Sequence, residues 1–389
     1  MKIALCLEYS IEQFGGTEIL VRELIQGLSE RHEITLVSPD NAAAIKTFSI
    51  GARVSRHITW RPEDISVARS RELAQALAEG GVQLAHFHFG GNYGWGNRYF
   101  SKSPVLAVSR MGIPCMSTNH GAFSILDGYC GPQRKILRWV LFPPAWLNKL
   151  HVLSHLRTEI AVSQHDYGAL CRWYWPLSGK FGQIYHSRIH GTPPPPTNDR
   201  KKAIICVGTI GLRKGQTFLV DAFSRIAAKF PEWNLILIGR QSEKSMVEQI
   251  RATISQNQLS KRILLLNECT NQEVEQWLKS AAIFAMPSLA EGLGLSLQEA
   301  LFNGCACIAS AAGGMTDLVQ NNSNGLSTAP GDVDQLAEAL QKLMGDEALR
   351  HRLATRGAAS IIEKEMLADK MVAKYDQLYR KILEPAARS

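Results

Sequence analysis

Short apolar runs alternate along this chain with segments whose apolar positions recur at helical spacing. In the first half such runs stand at 2–8, 33–38, 83–89, 114–118, 150–153 and 159–163, and each predicts a buried strand. Amphipathic patterns fit between them. At 16–30, for example, Ile19, Leu20, Leu24, Ile25 and Leu28 share one helical face. In the second half, strands are expected at 203–208, 234–239, 263–266, 283–286 and 306–309, with helices at 215–229, 243–256, 271–280 and 295–303. Strand–helix alternation implies parallel sheets with helices on both faces. The break between the halves is "IHGTPPPPTNDRKK", residues 189–202, whose four prolines suit neither a helix nor a central strand. The pattern therefore predicts an α/β chain of two domains, 1–190 and 200–365, facing each other across a cleft. A last helical stretch, 366–384, carries Met366, Met371, Tyr375, Leu378, Tyr379 and Ile382. Ligands of open α/β sheets sit beyond the C-terminal strand ends, so chemistry is sought in the loops that follow strands.

Composition narrows the class. The chain has 389 residues, 45% apolar and 20% charged, as in an ordinary globular protein of two or three domains. The N-terminal run is short and interrupted by Glu8, so it reads as a first strand rather than a secretory signal. No run of transmembrane length occurs. The eight cysteines include no CxxC pair and mostly lie in apolar runs, which suggests buried thiols in a reducing, cytoplasmic compartment. A structural zinc site is not expected. The net charge of +8 is uneven. Residues 1–190 hold 20 Lys+Arg against 14 Asp+Glu, and 191–389 hold 23 against 21. The basic half suits an anionic partner or simply a basic solvated surface. No nucleic-acid motif appears, and no nucleic-acid partner is expected.

Four segments carry candidate chemistry. In "MPSLAEGLGLSLQEALFNGCACIASAAGGMTDLV", 286–319, a loop with Glu291, Gly292 and Gly294 follows a strand and opens a helix at Leu295 and Ser296. Free N–H groups at a helix start bind phosphate. Glu299, one turn in, can accept from a ribose diol, while Glu291 on the loop can face the group beyond the phosphates. Two surface glutamates on a glycine loop are the plain alternative. In "AIICVGTIGLRKGQTFLVDAF", 203–223, Arg213 and Lys214 after a strand can neutralise a diphosphate, or form a solvated basic loop. In "EYSIEQFGGTEILVREL", 8–24, Gly15 and Gly16 permit close approach of a phosphate to a helix start, or make a tight turn. In "IPCMSTNHGAFS", 113–124, a strand delivers Asn119, His120 and Gly121 to its C-terminal end, where His120 is either structural or a ligand contact.

These segments, in this order, resemble glycosyltransferase family 4, retaining enzymes of the GT-B fold. The matching elements are "GGTE", "NHG", "RKG" and "EGLGLSLQEA…NG…ASAAGGMTDLV", and the likeness spans residues 2 to 380. The resemblance implies two Rossmann-like domains, with 366–389 crossing back onto the first. It implies that Glu299 binds the nucleotide ribose, Glu291 the donor-sugar hydroxyls, and the amides around Gly294, Leu295 and Ser296 the distal phosphate. Arg213 and Lys214 would stabilise the departing diphosphate, His120 would contact the sugar ring near its anomeric face, and Gly16 would lie against the diphosphate. The family often carries an arginine after the glycine that ends the strand opening the second domain. Here Thr209 follows Gly208, and Arg213 is expected to supply the charge. An Asn-Gly pair that often closes the first domain is replaced by "IYHSRIHG".

The implied reaction is transfer of a sugar from a nucleotide-diphosphate sugar, UDP first and GDP next, to a glycan or lipid-linked acceptor. No DxD-like acidic pair stands ready for a metal, so neither metal nor cofactor is expected. Residues 129–150 mix Arg134, Lys135, Arg138 and Lys149 with Trp139, Phe142 and Trp146, which suits an anionic membrane surface at the inner face or, equally, aromatic packing with a basic rim. Pro143 and Pro144 are expected to break any single long helix there. A nucleotide-sugar epimerase and a non-catalytic nucleotide-sugar or polysaccharide-binding protein are the alternatives.

Overall fold

The computed structural model describes residues 1–11, 15–47, 50–90, 95, 102–121, 135–197 and 199–384, without the side chains of 64 and 135–141. The chain divides into two compact units, 1–188 with 368–389, and 189–367.

In the first unit the strands are β1 (Lys2–Cys6), β2 (Glu33–Ser38), β3 (Arg56–Thr59), β4 (Leu84–Phe89), β5 (Cys115–Asn119), β6 (Leu156–Ala161) and β7 (Phe181–Gln183). They form one sheet in the order β3-β2-β1-β4-β5-β6-β7, every pair parallel. The connecting helices are α1 (Gly16–Leu28), α2 (Ala42–Thr47), α3 (Val67–Glu79), α4 (Pro104–Arg110), α5 (Lys135–His155) and α6 (Gln164–Trp173). A parallel sheet needs a crossover between neighbouring strands, and the helices supply it. With both faces covered, β1 and β4 are wholly apolar apart from Lys2, His86 and His88, and all of β4 is buried.

The second unit repeats the plan. Its strands β8 (Lys201–Val207), β9 (Asn234–Ile238), β10 (Ile263–Leu266), β11 (Ala281–Met286), β12 (Ala306–Ser310) and β13 (Leu326–Thr328) run parallel in the order β10-β9-β8-β11-β12-β13. Its helices are α7 (Gln216–Ile226), α8 (Lys244–Gln256), α9 (Asn271–Ser280), α10 (Leu295–Phe302), α11 (Met315–Leu318), α12 (Val333–Gly345) and α13 (Glu347–Glu363). The core gathers Phe223, Trp233, Leu235, Leu237, Ile283 and Leu340 around the sheet.

Helix α14 (Ala368–Leu383) packs within the first unit. Its buried face carries Met371, Val372, Tyr375 and Tyr379, and a Cβ on Gly27 of α1 would come within 2.7 Å of Val372. Asp376 fixes it by accepting from Arg31 at 2.7 Å, His32 at 2.7 Å and Arg380 at 3.2 Å.

Three expectations are corrected. Residues 150–153 are not a strand but the end of α5, because a short apolar run cannot by itself distinguish a strand from a buried helical turn. Pro143 and Pro144 do not break that helix, which runs for 21 residues through both. Each proline removes one N–H, yet the turns that follow bury Ala145, Asn148, Lys149, Val152 and Leu153, and this packing carries the helix on. Finally, Lys149 is no surface cation. It is 1% exposed and paired with the fully buried Glu159. Trp146 donates Nε1–H to the Trp173 carbonyl at 2.7 Å and packs with Phe142 against the core. Arg134 and the side chains of Lys135, Arg138 and Trp139 lie outside the described residues.

Among the described residues no helix is long and apolar enough to cross a membrane. Seven cysteines are described and all are free thiols; Cys130 lies outside the described residues.

Candidate active site

The chemistry-bearing residues of the second unit gather where β8 and β11 end. Strand β8 leaves at Gly208, whose φ is +155°, and β9 leaves at Gly239 with the same φ. A Cβ on Gly239 would lie 2.1 Å from the Gly208 carbonyl oxygen, so only glycine permits these strand ends to approach so closely. The turn that follows folds around Gln216, the first residue of α7. Its Nε2 donates to the carbonyls of Gly208 at 3.2 Å and Thr209 at 3.1 Å, and its Oε1 accepts from the Gly211 N–H at 3.4 Å. The Thr209 side chain is exposed. Gln216 is buried, and no motif in the chain singles it out.

Leu212–Lys214 form one turn of 3-10 helix, ended by Gly215 in the left-handed region at φ +69°. A Cβ there would meet the Pro287 carbonyl oxygen at 2.2 Å. The exit of β11 thus lies directly against this turn, and the Leu289 N–H donates to the Arg213 carbonyl at 2.8 Å. This contact brings three predicted residues together. Glu291 forms ion pairs with Lys214 Nζ at 2.6 Å and with Arg213 Nη1 at 3.2 Å, while Arg213 donates to the Ala290 carbonyl at 2.8 Å. The Glu291 side chain is 9% exposed, that of Lys214 19% and that of Arg213 50%. Burial pushes the Glu291 carboxyl up, but the charges of Lys214 and Arg213 outweigh it and hold the group below its usual range. Glu291 is therefore a carboxylate at neutral pH.

The Gly-Gly pair that trails the motif holds the Glu291 backbone. Gly314 N–H donates to the Glu291 carbonyl at 3.1 Å, and Gly313, at φ +55°, passes so close that a Cβ would lie 2.0 Å from that oxygen. Gly292 and Gly294 are buried, and Gly294 caps α10 in the left-handed region at φ +95°. The first intrahelical bond of α10 runs from the Gln298 N–H to the Gly294 carbonyl at 3.0 Å. The amides of Leu295 and Ser296 precede it, at the positive end of the helix. Ser296 Oγ donates to the Val207 carbonyl at 3.1 Å, pinning the helix start to the end of β8. Glu299 is one turn in and 7% exposed. A helix start, two cations and two carboxylates thus share one edge of the second sheet, an arrangement that suits a phosphate with a polyhydroxyl group on either side.

In the first unit, Gly15 and Gly16 stand at the start of α1, beyond β1. A Cβ on Gly15 would meet Glu18 Oε2 at 2.1 Å, so the Glu18 carboxylate folds back over the helix start. Burial raises its pKa. Asp40 anchors the loop leading there by accepting from Ser10 Oγ at 2.5 Å, the Ile11 N–H at 3.0 Å and Ser38 Oγ at 2.7 Å. Residues 12–14 lie outside the described residues.

His120 sits at the end of β5 and donates its N–H to the Phe89 carbonyl at 3.0 Å. The turn around it is fixed from below. Asn119 Oδ1 accepts from the Gly121 N–H at 3.1 Å, and Asn119 Nδ2 donates to Glu159 at 3.3 Å. Glu159 accepts also from Ser117 Oγ at 2.9 Å and from Lys149 Nζ at 2.7 Å. Burial pushes the pKa of His120 down to about 3, and that of His86, with help from His120, to about 3. His88 and His186 are driven well below their usual range, first by burial. All four imidazoles are neutral near pH 7. Of these four only His120 stands in a recognisable motif. The other three are brought to it by β4 and by the segment after β7, contacts that no local spacing reveals.

Two family models match the chain. The one described as Glycosyltransferase Family 4 covers residues 14–185, and the one described as Glycosyl transferases group 1 covers 192–360. A lipopolysaccharide core biosynthesis mannosyltransferase of Rhizobium meliloti, LpsB, is 29% identical over 192 residues, 46% of this chain and 53% of that protein. A GDP-mannose-dependent monoacylated alpha-(1-6)-phosphatidylinositol monomannoside mannosyltransferase of Corynebacterium glutamicum is 30% identical over 170 residues, 42% of this chain and 43% of that protein. The matched stretches thus span about half the length of these curated relatives. In three dimensions the chain is similar to HepE of Anabaena in complex with UDP, with a TM-score of 0.77, 17% identity and coverage of 98% of this chain and 100% of that one. A glycosyltransferase of Rickettsia africae gives a TM-score of 0.77 at 16% identity, covering 99% of both chains.

Proposed function

Because the chain belongs to glycosyltransferase family 4, we propose that it transfers a sugar, with retention and without a metal, from a nucleotide-diphosphate sugar to a glycan or lipid-linked acceptor. The observation that carries this reading is the cluster of Arg213, Lys214 and Glu291 beside the start of α10. A nucleotide-sugar presents a ribose, two phosphates and a sugar ring in line. Glu299 is assigned to the ribose, the amides of Leu295 and Ser296 with the backbone at Gly292 and Gly294 to the distal phosphate, and Arg213 and Lys214 to the leaving oxygen. Thr209, next to Gly208, is assigned to the same phosphate region. Glu291 faces the sugar hydroxyls while its contacts to both cations fix their position. Family likeness assigns Gly15 and Gly16 to the diphosphate and His120 to the sugar ring.

In the proposed step the bond between the anomeric carbon and the distal phosphate oxygen breaks. A bond from that carbon to the acceptor oxygen forms on the same face. The acceptor proton passes to the leaving diphosphate, so no protein base is required. The two cations stabilise the charge that develops on the leaving oxygen, the part of the barrier such groups lower best. They also supply the positive charge that a metal would otherwise bring, which supports the metal-free reading.

The names of relatives support UDP and GDP as the donor bases to test first. A sequence relative is named for its dependence on GDP-mannose, and a structural neighbour was solved with UDP. The names of the relatives also support a lipid-linked or lipopolysaccharide acceptor. Attachment of the first unit to an anionic membrane surface has a smaller basis than the sequence suggested. It now rests on Leu147, 54% exposed on α5, and Trp175, 69% exposed, rather than on Lys149.

The test is thermal unfolding with UDP, GDP and ADP, chelator present, beside Glu299→Ala. A nucleotide at 100 times its dissociation constant adds about 2.7 kcal/mol. Stabilisation by UDP or GDP that Glu299→Ala abolishes supports the reading and selects the base. No stabilisation by any of the three at millimolar concentration overturns it.

A further inference from the structure

His120 meets a second imidazole within the first unit. His88 Nδ1 lies 3.1 Å from His120 Nε2, with ring centroids 5.3 Å apart and planes tilted by 36°. His88 is 1% exposed on β4, and the His86 ring lies against it at 4.1 Å with its plane tilted by 35°. On another side His186 packs edge-on to His120 at 5.1 Å, itself held by the Tyr375 hydroxyl at 2.8 Å. The ring of His120 is thus fixed from two directions.

Both His88 and His120 are neutral, for the reasons given above. Between two neutral imidazoles one nitrogen donates and the other accepts. The remaining nitrogen of His88 decides which. Among the described residues His88 Nε2 is enclosed and meets no hydrogen-bond partner. If His120 donated, His88 would have to carry its own proton on Nε2, as a buried N–H with nothing to accept it. If His88 donates from Nδ1, Nε2 keeps only a lone pair. An orphaned buried N–H is the rarer and costlier defect.

We propose that His88 is a positioning residue that holds His120 in the Nδ1–H tautomer, so that His120 presents one N–H donor, from Nδ1, to an oxygen of the bound donor sugar. This deepens the assignment of His120 made above and rests on it for its function, though not for its geometry. A tautomer set by a partner's hydrogen bond is a recurrent way to aim an imidazole.

The test is imidazole nitrogen NMR on the full chain, histidine-labelled and free of ligand, near neutral pH, with His120→Ala to assign the signal. The unsubstituted protein is expected to show His120 protonated at Nδ1 and bare at Nε2. His88→Phe removes the donor, and the His120 signals should move away from that pure tautomer. His88→Asn keeps a side-chain N–H close to the position of Nδ1 and should restore it. Protonation of His120 at Nε2 in the unsubstituted protein overturns the proposal, and so does an unchanged Nδ1–H tautomer in folded His88→Phe. If His88→Phe does not fold, the unsubstituted spectrum alone decides.

Hydrolysis of UDP-glucose and GDP-mannose gives the functional readout. His88→Phe is expected to lower turnover roughly 10–100-fold, as loss of an orienting partner does elsewhere, with recovery in His88→Asn. If His120→Ala turns over as fast as the unsubstituted protein, the transferase role of His120 fails while the tautomer result stands.

Discussion

Glu291 sets one negative charge against the two positive charges of Arg213 and Lys214, which leaves the cluster with an excess of positive charge for a departing diphosphate. Lys214 makes the shorter contact and has the more enclosed side chain, so its charge is the less screened. Lys214→Ala is expected to lower turnover by roughly 10²–10³ with the fold retained, by analogy with loss of one electrostatic donor. Steady-state kinetics with the nucleotide-sugar selected by the binding screen checks this, and near wild-type turnover would count against the leaving-group role. Lys149 is a different kind of cation. Its Nζ is 2.9 and 2.7 Å from the two oxygens of Glu159, and neither side chain is more than 2% exposed. Lys149→Met alone should therefore cost about 3–5 kcal/mol, because it strands a buried carboxylate. Lys149→Met combined with Glu159→Gln should recover most of that loss. Urea unfolding of both variants decides, and equal losses would show that charge is not the cause. The contrast also explains what was legible at this scale. Arg213, Lys214 and Glu291 stood out because glycines and strand ends flank them. The family resemblance implies sugar hydroxyls for Glu291 without showing its ion pairs, since the partners are far apart in the chain. Lys149 misled for the same reason, because its partner Glu159, which Ser117 and Asn119 also bond, reaches it only through the sheet.

Elements were legible in proportion to their burial. The central strands β1, β4, β8 and β11 are largely apolar because helices cover both faces, and the sequence located all four to within two residues at either end. Strands β3, β7 and β13 were not anticipated. Each is three or four residues long and at a sheet edge, where partial exposure erases the apolar signature. Helix α14 was visible from its period. What holds it was not, because Asp376 finds Arg31 and His32 more than 340 residues away. Asp376 is 5% exposed and also bonds Arg380, so Asp376→Ala leaves His32 buried without its carboxylate and removes three contacts at once. A loss of roughly 3 kcal/mol is expected. The same variant should make the chain beyond Leu367 the first to be cut by a limiting protease, since local opening of α14 becomes easier. Unchanged stability with an unchanged cleavage pattern would show that the apolar face of Met371, Tyr375 and Tyr379 holds the helix without Asp376.

The two units differ sharply in how they should respond to acid. Nine of the eleven histidines fall in 1–188, and His86, His88 and His186 are at most 1% exposed there. The second unit holds only His190 and His351, both exposed. An imidazole whose pKa is lowered by folding takes up a proton when the chain unfolds. Stability is therefore full above the unfolded value of about 6.5 and falls as pH drops below it, until the folded pKa is reached, about 3 for His86 and His120. Each such group removes about 1.4 kcal/mol for every pH unit below about 6.5. Asp376, held below its usual range by His32, Arg380 and Arg31 against the cost of burial, loses stability only below the unfolded carboxyl value of about 3.9 and so adds nothing between pH 7.5 and 5.5. Between pH 7.5 and about 5.5 the first unit should thus lose several kcal/mol, while the second changes little. Two-unit chains need not melt in one step. The expected outcome is a single or closely spaced transition at pH 7.5 that separates near pH 5.5, the earlier step unfolding α14 with the first sheet. Hydrogen exchange at the two pH values, corrected for intrinsic rates, assigns the step. Lost protection confined to β1, β4, β5 and α14 bears the argument out. Equal loss in β8 and β11 would mean that the neutral imidazole cluster does not govern acid stability, and that its place in the first unit reflects the needs of His120 alone.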